Sequence, residues 1–102
     1  MNEELQDECR YFVTYSGVKL PLKLSQPLKK DALNNRNTFF RGYFDTHDRI
    51  SSLQKMVYGE IELEHRYEYY DNGILKQAEV IDAEGEITIL LFDKTGMQKN
   101  KT

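Results

Sequence analysis

The segment from Glu60 to Tyr70 alternates strictly between two kinds of side chain, and this pattern constrains the fold most. One set is apolar or ring-bearing and the other is charged: Ile61, Leu63, His65, Tyr67 and Tyr69 against Glu60, Glu62, Glu64, Arg66 and Glu68. A period of two puts each set on its own face of a β-strand, with one face buried. A helix would scatter the same residues around its circumference.

A hairpin turn is predicted directly after this strand. Asn72-Gly73 favours a two-residue turn, because both central positions of that turn need a positive φ. Such a turn would align three cross-strand pairs: Tyr70 with Leu75, Arg66 with Glu79, and His65 with Val80. A bulged three-residue turn would shift this register by one, so both registers stay open.

Strand patterns continue through most of the remaining chain. The other predicted strands are Arg10–Tyr15, Val18–Leu24, Thr38–Phe44, Arg49–Tyr58, Leu75–Ile81 and Glu86–Phe92. Pro21 lacks a backbone donor, so its strand is expected at a sheet edge or with that face turned outward. Ser25–Asn37 is the longest predicted loop, in which Pro27–Leu33 could form one short helical turn. The apolar run Glu86–Phe92 indicates a strand covered on both faces.

These elements predict a mainly β domain, an antiparallel meander of about six to eight strands with at most one short helix. The sheet could be bent, form a half-barrel or split into a small sandwich. Residues 1–8 are interpreted as an acidic lead-in, residues 9–97 as the single domain and residues 98–102 as a polar tail. The apolar face must be covered by an opposite sheet, a short helix or a second copy.

Composition excludes several classes. With one cysteine in 102 residues, an internal disulfide and a secreted disulfide scaffold are excluded. No apolar run approaches the roughly 20 residues of a membrane helix, and the acidic start does not resemble a secretory signal. A net charge of −3 does not provide the excess positive charge that binds nucleic acid phosphates. We therefore expect a cytoplasmic protein that binds neither membranes nor nucleic acid.

Three of the turns share a sequence pattern. Aromatic-Asp pairs precede turns at Phe44-Asp45, Tyr70-Asp71 and Phe92-Asp93, and an Asp carboxylate can pin a turn by accepting a backbone N–H two residues on. Residues 67–76 (YEYYDNGILK) followed by 92–96 (FDKTG) resemble the hairpin repeats of the MORN-like and YD-like families. That resemblance implies an antiparallel meander acting as a scaffold or binding surface, including in some toxin–immunity systems. Asp48 departs from it, because Gly is expected there.

A second resemblance covers most of the chain. Residues 9–22 (CRYFVTYSGVKLPL), 35–45 (NRNTFFRGYFD) and 58–67 (YGEIELEHRY) resemble a small family of uncharacterised bacterial proteins. The resemblance implies a bacterial, cytoplasmic, single-domain protein and no particular activity.

His65 is the candidate catalytic residue, because imidazole titrates near neutral pH and His65 lies on the apolar face of its strand. The alternative is a core histidine satisfied by a neighbouring hydroxyl or carbonyl group. No acid or nucleophile is placed beside it by spacing, which favours the alternative.

Other candidate sites are weaker. Asp45, His47 and Asp48 carry metal-ligand side chains without the spacing of a calcium loop or a zinc site. Arg41-Gly42-Tyr43-Phe44 faintly resembles an RNA-binding strand, but the complete motif is absent. Cys9 has no partner cysteine or catalytic motif. We predict no metal site and no cofactor.

Three functional hypotheses remain. The first is a non-enzymatic interaction module, since Tyr and Arg are enriched at binding hot spots and the chain has seven Tyr. Its predicted surface, for a protein partner or for self-association, is Arg41, His65, Tyr67, Tyr69 and Tyr70. The second is a small-molecule site or small enzyme in a β-cup, with His65 as the acid–base group. The third is an immunity-like role, which rests only on the repeat resemblance.

Overall fold

The computed structural model describes residues 8–17 and 19–99. Its strands are β1 (Glu8–Ser16), β2 (Lys23–Leu28), β3 (Thr38–Phe44), β4 (Ile50–Val57), β5 (Glu60–Tyr69), β6 (Leu75–Ile81) and β7 (Ile87–Leu91). The predicted lead-in lies outside the described residues except for Glu8, which begins β1. None of the described helices has the length and apolar character needed to span a membrane.

All seven strands form one antiparallel sheet in the order β2-β1-β3-β4-β5-β6-β7. This confirms the predicted mainly β meander, and the sheet does not close. The order departs from chain sequence at one place, because β1 lies between β2 and β3. β2 and β7 are therefore the two edges of the sheet.

The prediction for the second strand was wrong in its bounds. β2 runs from Lys23 to Leu28, so the predicted strand overlaps it only at Lys23 and Leu24. Residues 19–22 instead connect β1 to β2 as an irregular segment that we call the strap. The edge position was expected because of Pro21, but the proline inside the edge strand is Pro27. A 3₁₀ helix at Lys30–Asn35 follows, within the predicted loop.

The β5–β6 hairpin contains both a bulged turn and the predicted register. Gly73 has a positive φ of 89°, and the backbone N–H of Tyr70 donates to Ile74 O, so three residues form the turn. Tyr69 therefore lies opposite Leu75, and the predicted pairing of Tyr70 with Leu75 is wrong. A second irregularity between Glu68 and Tyr69 compensates for the shift.

Beyond that irregularity the hairpin follows the register predicted for a two-residue turn. His65 pairs with Val80, and Arg66 pairs with Glu79. The guanidinium Nη1 of Arg66 lies 3.5 Å from Glu79 Oε1, as expected for a cross-strand ion pair.

Turns after the strands share one backbone geometry. In the turns that begin at Asp45, Tyr70, Asp82 and Asp93, the first residue donates to the carbonyl four residues on and accepts from the N–H three residues on. At Asp45, Asp82 and Asp93 the carboxylate also accepts the N–H two residues on, as predicted for Asp45 and Asp93. The prediction for Asp71 was wrong: Tyr70 occupies the equivalent position, and Asn72 Oδ1 accepts from Ile74 N–H instead.

The core lies on one face of the sheet, which we call the inner face. It contains Phe12, Leu22, Phe40, Ile50, Leu53, Tyr67, Leu75 and Ala78. The strap crosses this face and buries Leu22, whose side chain is 8% exposed. Leu20, Leu24 and Leu90 pack against the same cluster, so residues from both ends of the sheet share one core.

Candidate functional site

His65 and Tyr67 lie together on the inner face, two residues apart on β5. Tyr67 Oη is 2.6 Å from His65 Nδ1 and 3.2 Å from the backbone nitrogen of Leu22 in the strap. The Leu22 N–H donates to the tyrosine oxygen, and the same hydroxyl forms a second hydrogen bond with His65 Nδ1. Tyr67 thereby joins the histidine of β5 to the strap.

Burial controls the ionisation of this pair. Burial lowers the pKa of His65 below its ordinary value of 6.5. Burial also raises the pKa of Tyr67 to about 12, and the Leu22 N–H acts in the opposite direction. Both side chains are therefore neutral at pH 7, and Tyr67 supplies the hydroxyl partner expected of a core histidine.

Tyr69 and Tyr70 are also engaged within the fold. Tyr69 Oη donates to Ile50 O at 2.6 Å, and Tyr70 Oη donates to Phe92 O at 2.7 Å. Burial raises the pKa of Tyr69 well above its ordinary value. These hydroxyl groups connect β5 and the turn after it to neighbouring segments.

Arg41 lies on the opposite, outer face of the sheet. Its Nη2 donates to Gln54, and Gln54 Nε2 donates to Glu64 Oε2 at 3.3 Å. Glu64 also accepts from Arg66 at 3.4 Å, so a polar ladder crosses the outer face from β3 to β5. Arg41 Nε is buried and has no hydrogen-bond partner in the part of the chain that the structure describes.

The residues predicted to form one binding surface are thus distributed over two faces. His65 and Tyr67 are buried on the inner face, Tyr69 and Tyr70 are half-buried, and Arg41 lies on the outer face. Beside Arg41 the outer face carries Tyr11, Phe39 and Tyr43, with the rings of Tyr11 and Phe39 6.0 Å apart in an edge-on arrangement. The role of the five predicted residues in partner binding stays a prediction.

The β2 edge of the sheet is poorly suited to pairing with another strand. Pro27 lacks a backbone donor, Gln26 adopts a left-handed φ of 63°, and the strand begins at Lys23. Proline, local distortion of the backbone and lysine are the devices by which proteins prevent edge-to-edge association.

The β7 edge has none of these devices within Ile87–Leu91. The expectation that this apolar strand is covered on both faces was wrong, because Ile87 is 57% and Ile89 39% exposed. The strand pairs with β6 on one side, and Lys99 N–H donates to Leu91 O on the other. Ile87, Thr88 and Ile89 have no strand on that second side among residues 8–17 and 19–99.

The sequence contained a signal for this edge that the apolar run obscured. In a meander the last strand has a neighbour on one side only, and the period-two positions Ile87, Ile89 and Leu91 then share one face. Mean apolarity alone cannot distinguish a strand buried on both faces from an uncovered edge strand.

Two cavities on the inner face flank the strap. One of about 510 Å³ is lined by strap residues, Leu24, Phe44, Asp48, Arg49, Ile50 and Tyr69. The other, of about 520 Å³, lies between the strap and the residues near the end of β7, including Leu90 and Phe92. His65, the predicted acid–base residue of a β-cup, lines neither cavity.

Candidate metal ligands at Asp45 are committed to the turn. The Asp45 carboxylate accepts the backbone N–H groups of His47 and Arg49, and its Oδ2 lies 3.1 Å from Arg49 Nε. These donors lower the pKa of Asp45 below its ordinary value, against the opposing effect of burial. Within the described ranges, no three His, Cys, Asp or Glu side chains are grouped so that they could hold a metal ion.

Comparisons with known proteins identify one family. Residues 4–101 match a family of unknown function, DUF6156, so the match spans almost the whole chain. No curated protein matches the chain, and no solved structure matches it either.

Proposed function

We propose that this chain, which belongs to the DUF6156 family of unknown function, is a non-enzymatic interaction module that binds another polypeptide strand at its β7 edge. The observation that carries the proposal is the exposed apolar edge strand: Ile87 is 57% and Ile89 39% exposed beside backbone groups that no described strand covers.

Strand addition suits this edge chemically. An extended peptide that pairs with an open edge gains affinity from main-chain hydrogen bonds and specificity from alternate side chains. Ile87 and Ile89 would supply the apolar contacts on the outer face, while Thr88 points to the inner face. The proposal thus keeps the interaction role predicted from the sequence but moves its surface away from the tyrosines.

The environment of the catalytic candidate favours binding over acid–base chemistry. His65 is 6% exposed and its Nδ1 is occupied by the Tyr67 hydroxyl. A general base must reach a substrate proton directly or through one water molecule, and a buried side chain bonded to Tyr67 is poorly placed for this.

Site-specific photocrosslinking tests the proposal. A benzophenone amino acid replaces Thr88 at the β7 edge, and the matched control replaces Gln26 at the β2 edge, both in full-length protein expressed in its host. We expect crosslinked polypeptide from position 88 and much less from position 26. Equal crosslinking from both positions, or none from position 88, would refute the β7 edge as the binding site.

A second candidate function is the binding of an amphipathic anion in the first inner-face cavity. Its volume of about 510 Å³ lies within the range of small-molecule sites. Leu20, Leu24 and Ile50 supply an apolar lining, and Lys19 and Lys23 lie at its border with no ion pair among the described residues.

Titration with a medium-chain fatty acid tests this second function by calorimetry. Lys19→Glu combined with Lys23→Glu should weaken binding at least about tenfold, since both charges that would face the carboxylate are reversed. His65→Gln serves as the control and should leave the affinity unchanged. Binding that depends on His65 and not on the lysines would contradict the assignment.

A further inference from the structure

The backbone of β7 shows which residues face outward at the edge. Phe92 N–H donates to Lys76 O on the β6 side, whereas Leu91 O accepts from Lys99 N–H on the opposite side. Successive residues of an antiparallel strand direct their backbone groups to alternate sides. Ile87 and Ile89 therefore direct their N–H and C=O groups outward, as Leu91 does.

We propose that the strand that pairs with this edge is the β7 strand of a second copy of the chain. In the antiparallel arrangement, Ile87 of one copy lies opposite Ile89 of the other, and each pair exchanges N–H···O bonds in both directions. The paired segment is limited to Ile87–Ile89, because Leu91 O already accepts from Lys99 N–H. The inference rests on the proposed function, because it names the occupant of the same edge.

Charges at the two ends of β7 support a second copy as the occupant. The turn before the strand carries Asp82, Glu84 and Glu86, and the segment after it carries Lys94 and Lys99. These acidic and basic side chains are exposed and form no ion pairs within residues 8–17 and 19–99. An antiparallel two-fold pairing brings the acidic end of each copy to the basic end of the other.

Parallel pairing would place like charges together and is disfavoured for that reason. A surface that is acidic at one end and basic at the other is self-complementary under a two-fold axis, which is what an isologous dimer requires. A generic partner strand would need the same charge order by coincidence.

Apolar contacts also favour antiparallel pairing with a second copy. The side chains of Ile87 and Ile89 lie on one face of β7, and the register places those of both copies side by side on the outer face. Pairing would join two seven-stranded sheets into one continuous sheet and bring the exposed isoleucines of the two copies into lateral contact. The β2 edges would form its two ends.

Sedimentation velocity of the full chain over a concentration series tests the inference. We expect a reversible monomer–dimer equilibrium. Ile89→Lys should raise the dissociation constant at least about tenfold, because a charge would be placed within the apolar contact. Ile87→Lys is the second variant, and Gln26→Lys at the β2 edge is the matched control that should leave the equilibrium unchanged. Circular dichroism confirms that each variant is folded.

Charge reversal tests the orientation of the two copies. Glu86→Lys should weaken the dimer, and combining it with Lys99→Glu in the same chain should restore it, because each acidic end then meets a reversed partner. A merely structural role of Glu86 would not be rescued by a change at Lys99. Absence of rescue would overturn the antiparallel arrangement.

The remaining outcomes separate the two proposals. A monomer at every concentration, with crosslinks from position 88 to a different protein, would overturn self-pairing and keep the β7 edge as a binding site. A monomer whose Ile87 and Ile89 amides are protected from hydrogen exchange would mean that the chain itself covers the edge, which would overturn both.

Discussion

The two edges of this sheet differ in how they are connected to the core and in how they are protected. On the β2 side, the strap inserts Leu22 into the core, and its backbone N–H bonds to Tyr67 Oη at 3.2 Å. On the β7 side, Leu90 packs against the core, while Ile87 and Ile89 project away from it. Pro27 and the distorted Gln26 protect the first edge, and the second has no such residue.

This difference shows that an open edge is not an unavoidable result of a small sheet. The same chain prevents pairing at β2 with proline and backbone distortion, yet leaves β7 as a regular strand with isoleucines exposed. Because open edges promote pairing with other strands, the unprotected β7 edge is where we propose that binding occurs. Self-pairing through β7 would satisfy that edge without leaving it available for uncontrolled association.

The largest expected effect is a difference in unfolding free energy between substitutions on the β2 side and on the β7 side. Leu22→Ala removes a side chain that is 8% exposed and should lower the free energy of unfolding by about 2–5 kcal/mol. The matched variant Ile87→Ala, at a position 57% exposed, should change monomer stability by no more than about 0.5 kcal/mol. Urea unfolding at a concentration where the protein is monomeric measures both. Similar losses for the two variants would break the comparison.

A close approach at Gly42 tests how the β2 side is packed onto the sheet. A methyl group on Gly42 would lie 2.6 Å from Leu24 Cδ1 and 3.0 Å from Phe44 Cε1. Gly42→Ala should therefore destabilise the protein by about 1–2 kcal/mol, because Leu24 must move.

Leu24→Ala provides the matching control for Gly42. It removes the obstructing methyl group, so the double variant should be more stable than the sum of the two single losses predicts. Urea unfolding of the four proteins in the cycle measures this coupling. Strict additivity would show that Leu24 does not limit the space at Gly42.

The comparison also explains what sequence patterns could and could not predict. The alternation of β5 and the Asp and Gly turn residues are local properties, so strand positions and most turns followed from them. The bounds of β2 did not follow, because Leu20, Leu22 and Leu24 alternate like a strand while the strap uses Leu22 for a tertiary contact. Burial by a crossing segment leaves the same apolar signal as burial within a sheet.

The candidate site was harder to predict because it depends on which side chains are left uncovered. The abundance of tyrosine predicts a binding surface, yet the hydroxyls of Tyr67, Tyr69 and Tyr70 all bond within the fold. Local sequence patterns cannot predict these hydrogen bonds, because the backbone partners Leu22, Ile50 and Phe92 are far from the tyrosines along the chain. The exposure of Ile87 likewise depends on strand order.

Acid should lower the free energy of unfolding through His65, whose partner Tyr67 bonds to the strap on the β2 side. Burial lowers the pKa of His65, so the unfolded chain takes up a proton at a higher pH than the folded chain does. This contribution to stability is complete above about pH 6.5 and decreases as the pH falls through that value towards the folded pKa, with a slope below about 1.4 kcal/mol per pH unit.

Urea unfolding at pH 7.5 and pH 5.5 measures the effect of His65. The wild type should be less stable at the lower pH, and His65→Gln should remove most of the difference. The carboxyl groups of Asp45 and Asp93, whose pKa values are lowered from 3.8, lose their contributions only at more acidic pH. An equal pH dependence in the variant would contradict the assignment to His65.

The smallest change in stability is expected for the variant that makes the two edges alike. Pro27→Ala restores a backbone N–H to β2, and at this exposed edge position the free energy of unfolding should change by no more than about 0.5 kcal/mol. Assembly should change more than stability does. A dimer formed through β7 has a β2 strand at each end, and two pairing-competent edges per chain allow open-ended growth.

Light scattering should therefore detect concentration-dependent species larger than a dimer for Pro27→Ala and not for the wild type. Adding Ile89→Lys to the same chain should return assembly to the dimer stage at most, since one edge is then blocked again. If Pro27→Ala does not assemble further, the distortion at Gln26, with its φ of 63°, is sufficient to protect the β2 edge without the proline.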